Sequence, residues 1–93
     1  MEPRREWAMA RDELVRAVEE LGFPAELGEC LARELGSPKA MGRMTAWLHY
    51  ERPRSPELIV DEMLAIRSEI DAWRERKAAL EANATINERL HRR

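Results

Sequence analysis

Much that usually announces a function is scarce in this chain. One cysteine, Cys30, among 93 residues cannot form an internal disulfide, and only five side chains are aromatic. The two histidines, His49 and His91, lie far apart with no partner at metal-ligand spacing, so no metal site is expected. No apolar run approaches the roughly 20 residues that a membrane-spanning helix needs. The N-terminal stretch "MEPRREWAMARDELV" lacks the apolar segment of a secretion signal, and Asn83-Ala84-Thr85 therefore carries no weight as a glycosylation sequon. A cytoplasmic protein without membrane association is the expectation. Sixteen basic against eighteen acidic residues leave a net charge of -2, which gives no global electrostatic case for nucleic acid or an anionic surface. A single small domain leaves little room for a deep pocket, and no cofactor is expected.

What remains is rich in Ala, Leu, Glu and Arg, with 44% hydrophobic and 37% charged residues, the profile of an all-α protein. Trp7, Ala10, Leu14, Val18 and Leu21, with Val15 and Ala17 beside them, follow one face of a helix over residues 5 to 21, ended by Gly22. Phe23-Pro24 opens a second helix, 24 to 35, whose stripe of Leu27, Cys30, Leu31 and Leu35 is predicted to be buried, with Gly36 as a left-handed cap. Ser37-Pro38 and Ser55-Pro56 use one device twice, a hydroxyl N-cap followed by proline in the first helical position. The third helix, 38 to 50, is expected to bury Met41, Met44, Thr45 and Leu48, with Trp47 on the flank and mostly in the core. Arg52-Pro53 stops it, because a residue before proline resists helical geometry.

From Pro56 onward there is no glycine or proline, so a fourth helix spans 56 to 82 or beyond. Its apolar positions step by four and three through Ile59, Met63, Ile66, Ile70, Trp73, Lys77, Leu80, Ala84 and Asn87, a heptad seam. Val60 and Leu64 widen the first half of that stripe, as contact with a globular body requires. The second half narrows to the seam alone. Residues 1 to 93 are thus read as one helical domain, with a bundle body over 1 to 70 and a projecting helix or tail over 71 to 93. A capping box at Thr85 and Glu88 offers an alternative helix start after Ala82.

The punctuation around Gly36 resembles a helix-turn-helix, and "YERPRSPELI" resembles the exit from the recognition helix of phage-repressor domains. The register does not follow: Gly42 stands where that family packs a branched apolar residue, and the stretch from Gly36 to Tyr50 is several residues too long. Helix three nevertheless carries a basic-aromatic face of Lys39, Arg43, Trp47 and Tyr50, continued by Arg52 and Arg54. Against Glu51 these four cations leave about +3 from Ser37 to Arg54, a marginal footprint for DNA. Residues 1 to 36 carry nine acidic and five basic side chains, so an acidic protein surface suits that face better. The acidic pairs Asp12-Glu13, Glu19-Glu20 and Asp61-Glu62 are neighbours in sequence, about 100° apart on a helix, and read as solvated charge.

The runs "LGSPKAMGRMTAWL" and "RPRSPELIVDEMLAIRSEIDAWRERK" resemble a group of short uncharacterised all-helical bacterial proteins that share K-A-M-x-R-M and D-E-M-L-A-I helices. The resemblance covers about residues 21 to 77. It implies an all-helical domain from a bacterial or mobile-element genome and supplies no activity, cofactor or catalytic residue. The residues themselves predict a non-enzymatic interaction module, adaptor or inhibitor, that presents Lys39, Arg43, Trp47, Tyr50, Arg52 and Arg54 to a protein partner. They also predict a homodimer, paired through Ile70, Trp73, Lys77, Leu80 and Ala84 as a coiled coil. Two alternatives stand beside this expectation: a DNA-binding regulator of a mobile element, and a phage-type inhibitor of a host defence nuclease.

Overall fold

A computed structural model of the chain describes residues 3 to 91, with side chains over residues 4 to 82. Four helices follow one another: α1 (Pro3–Glu20), α2 (Ala25–Leu35), α3 (Pro38–Glu51) and α4 (Pro56–His91). No strand occurs among the described residues. All four predicted helices are present, each bounded within about two residues where the punctuation placed it, apart from the longer end of α4.

The ends of the helices follow from their local chemistry. Gly22 adopts φ 91° and closes α1 as a Schellman cap, its own N–H donating to the Glu19 carbonyl and the Phe23 N–H reaching back to Val18. Gly36 at φ 77° ends α2 with a single return bond to Ala32. The two serine caps form as expected: the Ser37 hydroxyl accepts from the Ala40 N–H at 3.2 Å and the Ser55 hydroxyl from the Leu58 N–H at 3.3 Å. Pro24, read as the first residue of α2, instead stands at its N-cap in an extended conformation. Arg52 ends α3 in the left-handed region at φ 46°, its N–H bonded to Leu48, and turns the chain into buried Pro53. That conformation is uncommon for a residue with a Cβ.

The core joins Leu14, Ala17 and Val18 of α1, Leu31, Ala32 and Leu35 of α2, Ala40, Met41, Met44 and Leu48 of α3, and Ile59, Met63 and Ile66 of α4. Burial of each large apolar side chain among these contributes about 1.5 to 3 kcal/mol. The helices α2 and α3 form a middle layer. Helix α1 packs on both of them, α4 packs on both, and α1 and α4 do not touch among the described residues. Trp7, half-buried on the edge of this core, donates its indole N–H to the Gly36 carbonyl at 3.2 Å and so ties α1 to the α2–α3 turn.

Three expectations about the core are corrected. Cys30 is exposed rather than buried, because the stripe that α2 turns inward is Gly28, Leu31, Ala32 and Leu35, which puts residue 30 on the opposite side of the helix. Gly28 on the core face leaves no trace in the apolar periodicity, since it has no side chain. Leu64 is half-exposed rather than part of the buried stripe, because α4 touches the body along the narrow row of Ile59, Met63 and Ile66. Thr45 is only half-buried, at the α1–α3 edge near Glu13, Arg16 and His49, and its hydroxyl oxygen is enclosed without a hydrogen-bond partner. The flank position of Trp47 agrees with its half-burial against the core.

Candidate functional site

The outward face of α3 is assembled by helical spacing. At about 100° per residue, Lys39, Arg43, Ala46 and Tyr50 fall within a narrow sector, with Trp47 on its edge, opposite the sector of Met41, Met44 and Leu48. Lys39, Arg43 and Tyr50 are exposed, Tyr50 to 85%. Arg52 and Arg54 are exposed in the turn that follows. Lys39, Arg43 and Tyr50 therefore share one exposed face of α3 with Trp47 as its partly buried edge, whereas for Arg52 and Arg54 the structure shows exposure in the turn after the helix. Arg43 differs from the expectation in one respect: it is committed within the chain, its guanidinium 2.6 Å from the Glu69 carboxylate of α4. Lys39 makes no ion pair among the described residues, and α3 has no acidic residue in its first turn to offset its dipole.

Between the start of α3 and the middle of α4 runs an open groove of about 680 Å³. Lys39, Arg43, Arg74 and Arg76 rim it, Ala40, Ile70, Ala72 and Trp73 supply its apolar surface, and Glu69 is its acidic member. The sequence revealed the two halves of this groove separately, as the α3 face and the α4 seam. Their adjacency required the antiparallel turn of α3 into α4.

The α4 seam changes environment at Ile70. Ile59, Met63 and Ile66 are buried, Ile70 is half-buried against the same core, and every residue from Asp71 to Ala82 is exposed. Ile70, expected as part of a self-association surface, is thus chiefly the joint between body and projection. Trp73 stands 57% exposed and Leu80 69% exposed on the continuation of the buried stripe. The Lys77 ammonium folds back to 5.3 Å from the Trp73 ring centroid. Ala84 and Asn87, the next seam positions, and the Thr85 capping box have side chains outside the described residues. On the flanks of α4, the last charges near the body are taken up within the chain: Arg67 pairs with Glu34 of α2 and Glu69 with Arg43 of α3. The next flanking cations outward, Arg74 and Arg76, make no ion pair among the described residues.

Three negative features complete the geometry. Gly42, at the position where a repressor-type recognition helix packs a branched side chain, is exposed with open space around it. No group of His, Cys, Asp and Glu suited to a metal ion occurs among the described residues, and no helix there is long and apolar enough to cross a membrane. Comparison with protein-family models, curated proteins and solved structures finds no match to this chain.

Proposed function

We propose that this protein is a non-enzymatic interaction module, an adaptor or inhibitor, that self-associates through the projecting part of α4 and offers the basic-aromatic face of α3 to an acidic protein partner. One observation carries the reading: Trp73 and Leu80 stand bare on the same stripe that, a few turns earlier, forms the core. A large exposed apolar pair at seam spacing, with Trp73 at the mouth of the α3–α4 groove and Leu80 beyond it, is an attachment surface in need of cover. The α3 face is the second surface, with Tyr50 and the cations at Lys39, Arg52 and Arg54 turned to solvent.

Sedimentation equilibrium at micromolar concentration tests the first part. A dimer mass for the wild type and a monomer mass for Trp73→Glu with Leu80→Glu is the expected result, and a wild-type monomer refutes it. Affinity capture with wild type and with Lys39→Glu/Tyr50→Ala tests the second: a protein held by the first and lost by the second is expected. The DNA-binding reading is supported by the same exposed cations and opposed by the outward position of Gly42. A salt-dependent shift of random duplex DNA would favour it over a protein partner.

A further inference from the structure

We infer that the groove between the start of α3 and the middle of α4 holds an acidic segment of the partner protein, with a large apolar side chain seated on Trp73 and carboxylates on both sides of it. The inference rests on the acidic partner proposed above and adds the place where it docks. It does not depend on self-association.

The groove exists because α4 outruns α3. The two helices turn back on each other, so the first turn of α3 comes level with the residues at which α4 leaves the body, Glu69 to Trp73. Beyond that level α4 continues alone, and the step between the two helices stays open. Buried Ala40 and half-buried Ile70 belong to the core edge of this step. Trp73 is the one large apolar side chain in it that is left mainly to solvent, 57% exposed. An apolar side chain laid against the ring supplies the burial that its own chain does not.

Charge selects the occupant. Five charged residues line the groove, and two of them, Arg43 and Glu69, neutralise each other at 2.6 Å. The other three are Lys39 on the α3 side and Arg74 and Arg76 on the α4 side, and none of these has an ion pair among the described residues. The first turn of α3 holds no acidic residue, so its dipole adds to the same sign. Three uncompensated cations therefore surround an apolar step in a chain whose total charge is -2. Cations on both walls match carboxylates on both sides of the seated side chain.

Shape and charge together exclude other occupants. Small-molecule sites enclose most of the ligand surface, whereas a step with two walls leaves most of it in water. Three cations give too few phosphate contacts to hold a nucleic acid on a chain of net negative charge. A polypeptide segment carries apolar and acidic side chains within a few residues of each other, which is the complement of this groove.

The probe for the test is a fluorescein-labelled synthetic peptide with Leu-Phe-Leu between two runs of glutamate, titrated with the full-length chain and followed by anisotropy. Saturable binding is expected, about tenfold weaker when serines replace the apolar centre and about fivefold weaker with Arg76→Glu. Arg16→Glu makes the same change of charge on α1, which does not touch α4, and should shift the dissociation constant less than twofold. The unlabelled peptide should move the tryptophan emission of the wild type to the blue, and Trp73→Phe, which keeps Trp7 and Trp47 as emitters, should abolish that shift. These side chains are exposed, so the melting temperature should stay within a few degrees of the wild type. Equal losses with Arg16→Glu and Arg76→Glu, or an emission shift that survives Trp73→Phe, would overturn the inference. Displacement of the peptide by oligothymidylate of equal charge would assign the groove to nucleic acid and overturn it as well. Binding kept in Arg76→Glu but lost in Tyr50→Ala with Arg52→Glu would move the partner to the outer face of α3, so that the acidic partner stands and the groove does not. No binding of the peptide to the wild type would remove the acidic partner itself.

Discussion

Gly28 of α2 meets Val15 of α1 so closely that a Cβ added to the glycine would lie 2.7 Å from the Val15 Cα and 3.0 Å from its Cγ2. The contact is with backbone, which no rotamer change can relieve. Gly28→Ala must therefore push α1 and α2 apart, costing about 1 to 3 kcal/mol against a gain of about 1 kcal/mol in helix propensity. Gly42→Ala has open space and a helical interior position, so it should stabilise by about 0.5 to 1 kcal/mol. Urea denaturation of the two variants should give midpoints on opposite sides of the wild type. Equal shifts would mean that the α1–α2 approach is wider than described.

The caps give a second pair. Gly36 has a positive φ with nothing within 4 Å of an added Cβ, so Gly36→Ala meets no clash and costs only the strain of holding a residue with a Cβ in the left-handed region, about 1 kcal/mol. Gly22→Ala should behave alike, since its surroundings are also open and its φ is 91°. Thermal melts should show both variants folded with lowered midpoints. An unchanged midpoint in both would displace the ends of α1 and α2.

The α3 surface should tolerate change. Arg43→Glu with Tyr50→Ala removes an exposed ion pair worth about 0 to 1 kcal/mol and a ring that is almost wholly in solvent. The melting temperature should move by only a few degrees while partner binding is lost. Collapse of the fold in that variant would place the face inside the structure.

Cys30 provides a chemical check. Its exposed thiol should titrate fully with a chromogenic disulfide reagent under native conditions, at a rate little changed by denaturant. Protection that disappears only in urea would restore the buried stripe that the spacing of Leu27, Cys30 and Leu31 suggested.

The contrast between α2 and the other helices explains how much of the fold could be read in advance. Periodicity and caps located all four helices, because Gly22, Gly36, Ser37-Pro38 and Ser55-Pro56 act within a few residues of themselves. The inward face of α2 is not legible in the spacing because it is set by Val15, thirteen positions away, and the glycine that permits the close approach leaves no hydrophobic mark. The α3 face was legible for the same local reason as the caps. Arg43 was not seen to be occupied, since its partner Glu69 lies 26 residues further along and meets it only once α3 and α4 turn back on each other.

The single unbroken stripe of α4 also has a mechanical meaning. Because Ile59, Met63 and Ile66 are locked into the body, they fix the rotational phase of the whole helix, and the outer half is a rigid lever whose azimuth is decided at its root. One residue inserted after Ile70 would turn Trp73, Lys77 and Leu80 by about 100° without disturbing the core, and a seven-residue insertion would nearly return them to their starting direction while lengthening the lever by about 10 Å. The reach of the outer surface can therefore vary at nearly constant heading only in steps of seven residues, whereas an insertion of any other small length after Ile70 re-aims it while the body stays intact.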